Sequence, residues 1–175
     1  MRTQTQWVLA AATALLLAAP AAQAQSATTV SDEAEREAQA HEMVVKAQEA
    51  SKDIRSFREA ANLYRQAAQT LGDHPEAAQH LVQAGRLAYY TGREGLSIND
   101  CEAAGNQALA WGDVLTAAQS FLDAAWVAAE EHRGSEAVTL ARRAEKLSSS
   151  PLIQRQERVA LLSRIADFQE QQELD

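Results

Sequence analysis

His41 and Glu42 open a stretch with the beginnings of a zinc-protease helix, in which two histidines four residues apart face one side and hold a metal. Val45 stands where the second histidine belongs, so that face offers a single nitrogen ligand and cannot hold zinc. Gly95-Leu96-Ser97-Ile98-Asn99 starts like a nucleophile elbow. Asn99 replaces the second glycine, and no strand precedes the serine to present it. Asp73, His74, Glu76 and His80 are close enough in sequence to meet around a cation, but a turn rich in polar residues is ordinary helix punctuation. The single cysteine, Cys101, has no partner for an intramolecular bridge. It lies between Ile98 and Ala104 in a helical pattern and reads as a small buried apolar residue, with a reactive or dimer-forming thiol as the alternative. No glycine-rich phosphate loop is present. The expectation is therefore no catalytic residue, no metal ligand set and no cofactor.

The residues that remain are suited to contact. Tyr89 and Tyr90 end a helical pattern between Arg86 and Arg93. Adjacent residues on a helix lie about 100° apart, so both rings cannot enter one core: one is expected to pack and the other to face a groove or solvent. Trp126 lies in a second helical pattern, and Trp111 at the end of another. Tyr, Trp and Arg are the residue types that anchor interfaces. Arg86, Tyr89, Tyr90, Arg93 and Trp126 are the expected partner-binding residues, with inter-helix packing as the competing reading.

The elements that must position them are helices. The chain has 175 residues and a composition of 46% hydrophobic and only 5% aromatic side chains, with three prolines and seven glycines. Alanine is abundant and no run of β-branched residues alternates with polar ones, which favours helix over sheet. Sixteen Lys and Arg stand against 24 Asp and Glu, for a net charge of −8. An acidic surface repels phosphate backbones, so nucleic acid is not an expected partner.

Residues 1–24 have the three parts of a secretory leader: one positive charge at Arg2, the apolar run Trp7–Ala19, and the small residues Ala22-Gln23-Ala24 before a cleavage site. The apolar run is short for a bilayer about 30 Å thick, so no stable anchor is expected. No cysteine follows it to be acylated. The expected location is the bacterial periplasm or the medium. A linker over 25–30 follows, with Ser31 as a helix cap, then seven helices over about 31–170 and a polar, fraying tail at 171–175.

The helical patterns are punctuated by Gly72-Asp73-His74-Pro75, Gly92–Gly95, Gly112-Asp113, Gly134-Ser135 and Ser148–Pro151. Asp53 and Asp113 are expected caps. Loops this short make neighbouring helices antiparallel. Expected core faces are Ala60, Tyr64, Ala67 and Leu71; Leu81, Ala84, Leu87 and Ala88; Ile98, Cys101, Ala104 and Ala108; Ala117, Phe121, Ala124, Ala125 and Ala128; and Ala137, Leu140, Ala141, Ala144 and Leu147. The first helix has a weak stripe of Ala34, Ala38, Val44, Val45 and Ala47. The last carries Val159, Leu162, Ile165 and Ala166, with Phe168 near its end.

Similar patterns recur at 37 to 41 residues: Ala60-x3-Tyr64-x2-Ala67, Ser97-x3-Cys101-x2-Ala104 and Ala137-x3-Ala141-x2-Ala144. Such a period with two helices per unit indicates stacked hairpins. Ala60, Tyr64 and Pro75, and the stretch AAGNQALAWGDVLTAAQSFLDAA with Gly105, Ala117, Phe121 and Ala124, resemble the tetratricopeptide repeat family. The signature tryptophan is missing, with Cys101 in its place, and the two matches disagree over whether 96–111 is the first or second helix of a pair. The resemblance implies an all-α fold of stacked hairpins, an α-solenoid with a C-terminal capping helix, and a concave groove that binds a peptide or partner protein. A plain seven-helix bundle and another helical-hairpin repeat are the alternative folds. A structural, self-associating envelope protein without a groove is the alternative function.

Overall fold

The computed structural model describes residues 19–174, with side chains from 31 to 172. Seven α-helices follow one another: α1 (Ala19–Ala50), α2 (Phe57–Leu71), α3 (Ala77–Tyr90), α4 (Glu94–Ala110), α5 (Val114–Glu130), α6 (Gly134–Ser148) and α7 (Arg155–Leu174). A single 3-10 turn, Ile54–Ser56, precedes α2. No strand occurs among the described residues. The leader expected over 1–24 lies, up to residue 18, outside the described residues. From Ala19 onward α1 is continuous, so the segment read as a linker is helical and Ser31 sits inside the helix rather than capping it. At the other end α7 runs on to Leu174, through the tail expected to fray.

The described residues fall into two units, divided after Ala38. In the first, the side chains from Ser31 to Ala38 are all exposed, and Arg36 reaches back to the Asp32 carbonyl at 3.3 Å. Ala34 and Ala38 thus do not form the expected core stripe; in so charged a stretch two methyl groups are too little apolar area to draw a helix face inward. In the second unit Ala40 and Ala47 are the buried α1 residues, while Val45 is 50% exposed.

The second unit is built from adjacent pairs: α2 on α3, α3 on α4, α4 on α5 and α5 on α6, with α7 against both α5 and α6. Every residue expected in the core faces of α2, α4 and α5 is buried; in α3 and α6 Leu81 and Leu147 are half-buried and the rest are buried. Asp113 caps α5 by accepting from the Thr116 N–H at 3.1 Å, and Asp53 caps the 3-10 turn through Arg55.

The turns reveal a shorter period than the hairpin. Left-handed φ falls at Gly72 (58°), Gly92 (66°), Gly112 (77°) and His132 (58°), one position every twenty residues. The last three share one hydrogen-bond pattern. The N–H groups of Arg93, Asp113 and Arg133 reach back to the carbonyls of Ala88, Ala108 and Ala128 at 2.8–3.0 Å, closing each helix end. The expected break at Gly134-Ser135 is thus displaced: His132 takes the left-handed position, and Gly134 is already the first residue of α6.

The buried small residues keep the same interval. Ala77, Ser97, Ala117 and Ala137 are all buried, as are Ala84, Ala104, Ala124 and Ala144. Close approaches repeat too. A Cβ on Gly85 would lie 2.7 Å from the Cys101 Sγ, and one on Gly105 would lie 2.6 Å from the Phe121 ring. Both glycines therefore mark crossings where only hydrogen fits. α4 receives Gly85 on one side and presents Gly105 on the other, so it meets its two neighbours in equivalent ways. One helix plus one turn is the repeating unit, so no residue needs to distinguish the first member of a pair from the second.

Side chains also tie alternate helices. Arg65 of α2 makes a two-pronged pair with Asp100 of α4, Nε to Oδ1 at 2.9 Å and Nη2 to Oδ2 at 2.6 Å. Arg143 of α6 reaches Glu102 and Asn106 of α4 at 2.8 and 2.6 Å, with its guanidinium carbon 3.8 Å above the Phe121 ring. Arg164 of α7 meets Asp123 of α5 at 2.5 Å.

Candidate functional site

Arg86, Tyr89 and Tyr90 occupy the last turns of α3, where positions three and four apart project to one side. α5 lies beyond α4 from them, and on it Trp126 is held half-buried against Phe168 of α7, with ring centroids 5.2 Å apart and an interplanar angle of 82°. That edge-to-face contact fixes the indole. The four side chains line one groove of about 410 Å³. Its floor is α4, through the buried Ser97 and Cys101; Asp123, Val127 and Glu130 of α5 and Arg164 of α7 complete it.

Four of the five expected contact residues thus converge although α3 and α5 are separated by a whole helix. Arg93 is not among the groove residues. It follows the left-handed Gly92, and its carbonyl accepts from the Leu96 and Ser97 N–H groups, so it serves the α3–α4 turn and the first turn of α4. The tyrosines also differ from expectation. Neither enters the core: Tyr89 is 37% and Tyr90 68% exposed, and their rings meet at 5.7 Å. Small alanines fill the α3–α4 crossing, which leaves no core space for a phenol ring. Tyr90 instead approaches Phe57 of α2, with centroids 6.3 Å apart.

The electrostatics are balanced. Asp123 is neutralised by Arg164. A hydrogen bond to Glu130, followed by the charge of that carboxylate, pushes the Tyr89 hydroxyl above its ordinary pKa, so it stays a protonated donor. Arg86 makes no hydrogen bond or ion pair with the described residues. Burial first, then the charges of Asp123 and Asp100, push the Cys101 thiol up to about 12. A protonated, buried thiol is a poor nucleophile. The arrangement offers aromatic faces, one unpaired guanidinium and a protonated phenol, which suits holding a ligand.

A wider groove, of about 950 Å³, runs between α2 and α4. The paired Arg65 and Asp100 line it, together with the exposed carboxamides of Gln69, Asn99 and Asn106, and Trp111, 54% exposed, stands at its edge. Gln107 donates to the Gly72 and His74 carbonyls there and ties α4 to the α2–α3 turn. Sequence reading missed this groove, since scattered Asn and Gln look like any solvated helix face. The only pointer was Trp111 beside its turn.

The polar cluster at the α2–α3 turn is punctuation. The Nδ1 of His74 accepts from the Glu76 N–H at 3.3 Å, and His80 stacks on Tyr64, with centroids 6.1 Å apart. Among the described residues no group of three or more His, Cys, Asp or Glu is placed to hold a metal. Among those residues, too, no helix is long and apolar enough to cross a membrane. No family model matches the chain, and neither a curated protein nor a solved structure matches it.

Proposed function

We propose that this chain is a protein-binding module of the cell envelope. It is exported by its leader, is built as a tetratricopeptide-like stack of antiparallel helices, and takes a peptide segment of its partner in the groove between α3 and α5. It performs no chemistry on what it binds. The supporting observation is the convergence of Arg86, Tyr89, Tyr90 and Trp126, from two helices that do not follow one another, on one groove. Aromatic and arginine side chains gathered in a depression form the composition of an interface hot spot. A volume of about 410 Å³ suits two or three side chains of a bound segment. The free guanidinium of Arg86 favours a segment with a carboxylate beside an apolar or aromatic side chain.

Selection of random peptides on the immobilised protein tests this. Recovered peptides should be rich in Asp or Glu next to an apolar residue. Tyr89→Ala combined with Tyr90→Ala should weaken them at least tenfold, about 1.4 kcal/mol, and Arg86→Ala should weaken only the acidic ones. Tyr90 is 68% exposed and Tyr89 lies outside the core, so the double variant is expected to keep its fold, which its helical signal checks. Equal binding by that folded variant would remove this groove as the site.

A further inference from the structure

The outward side of α7 is unlike that of a terminal helix built only to cap a stack, whose outer face is ordinarily polar. Leu161, Ile165 and Phe168 are buried against the body. About 130° further round the helix, Val159 is 62% and Leu162 44% exposed, and Ala166 is exposed beside them. Arg155 and Glu170, both exposed, continue this stripe by one turn at each end. At about 100° per residue, the five positions 155, 159, 162, 166 and 170 fall within roughly 80° of one another. The apolar sector of α7 therefore extends beyond the side covered by α5 and α6, and Val159, Leu162 and Ala166 remain uncovered.

The stripe is complementary to itself. A twofold axis passing between Leu162 and Ser163 sets Arg155 opposite Glu170 of a second copy and Val159 opposite Ala166 of that copy. It also sets each Leu162 opposite Ser163 of the other copy, at the centre of the contact. Large meets small in the apolar pairs, and positive meets negative at both ends. Neither Arg155 nor Glu170 makes an ion pair with the described residues, so both are available. We infer that two copies of this chain associate through an antiparallel α7–α7 contact, an isologous interface in which every contact occurs twice. The contact spans about four turns of one helix and buries less than the roughly 1,600 Å² of a standard interface, which is the size class of weak, concentration-dependent association. The inference does not depend on what the α3–α5 groove binds. It sets two such grooves in one assembly.

Sedimentation of the purified protein over about 5 to about 500 µM reads the association. The weight-average mass is expected to rise from one copy toward two. Val159→Glu with Leu162→Glu should stay at one copy throughout with an unchanged helical signal, because both side chains are exposed. Glu170→Arg should raise the dissociation constant about tenfold, and adding Arg155→Glu should restore it. Geometry is tested separately by oxidation. Ser163→Cys lies at the axis and should give a disulfide-linked dimer. Arg155→Cys places its thiols about 22 Å apart along the axis and should not. Cys101 is buried and adds no background. A single copy at all concentrations would overturn the inference. So would dimerisation of the folded Val159→Glu/Leu162→Glu variant, or equal cross-linking by Arg155→Cys and Ser163→Cys.

Discussion

His80 sits half-buried on the ring of Tyr64, and removal from water holds its pKa below the ordinary 6.5, with Glu76 opposing and His74 adding to the shift. The folded chain therefore takes up this proton less readily than the unfolded chain. Above about pH 6.5 both states are neutral at this site and His80 is indifferent to pH. Below it the unfolded chain is protonated first, and stability falls. Urea midpoints measured from about pH 8 to about pH 5 should decline through that window, and His80→Gln should flatten the decline. A slope unchanged by the substitution would show that other groups carry it. At this scale the sequence is partly legible. The adjacency of Tyr89 and Tyr90 says that they cannot share one core, and Cys101 reads correctly as a buried thiol. The support of Trp126 by Phe168 was hidden, because no local pattern links residues from helices so far apart in the chain.

At the scale of elements, spacing speaks most clearly. Glycine or proline punctuation places four of the seven helix starts, those of α3 to α6, within about two residues, since a left-handed cap and a missing N–H act locally. The α5–α6 turn is the instructive exception. Gly134 attracts the eye, yet the left-handed residue is His132, because the turn must keep step with Gly92 and Gly112. A side chain in that conformation costs roughly 1 kcal/mol. His132→Gly should therefore stabilise the protein by about 0.5–1 kcal/mol, read as a shift of the urea midpoint at constant slope. No gain would mean that the imidazole makes compensating contacts. In the last helix Ile165 and Phe168 are buried as expected, while Val159, Leu162 and Ala166 are not. Val159 and Leu162 look like core positions by type, but the outcome rests on which side meets α5 and α6, and Leu161 and Phe168 win that side.

For the whole molecule, the links between alternate helices matter as much as the adjacent pairs. Asp100 is 5% exposed and pairs with Arg65 through two hydrogen bonds, so removing Arg65 strands a buried charge. Arg65→Ala should cost about 3 kcal/mol, whereas removing both with apolar residues of similar size should cost much less. The Glu102–Arg143 link is more than a third exposed on both sides, and its loss should stay under about 1 kcal/mol by the same measurement. Comparable losses at the two sites would contradict the ranking by burial.

The amino-acid sequence by itself determined that the chain is helical, how many helices the described part contains, where most of them stop, and which small residues lie at their crossings. Those properties follow from propensity, capping and a 3.6-residue period, all of which act over a few positions. Only the tertiary structure decided that one helix rather than one hairpin is the repeating unit, that Arg86, Tyr89, Tyr90 and Trp126 meet while Arg93 does not, and which side of α7 remains uncovered. These depend on which faces dock across alternate helices, and a pattern that repeats every twenty residues presents each helix with equivalent local signals. Packing in three dimensions removes that equivalence.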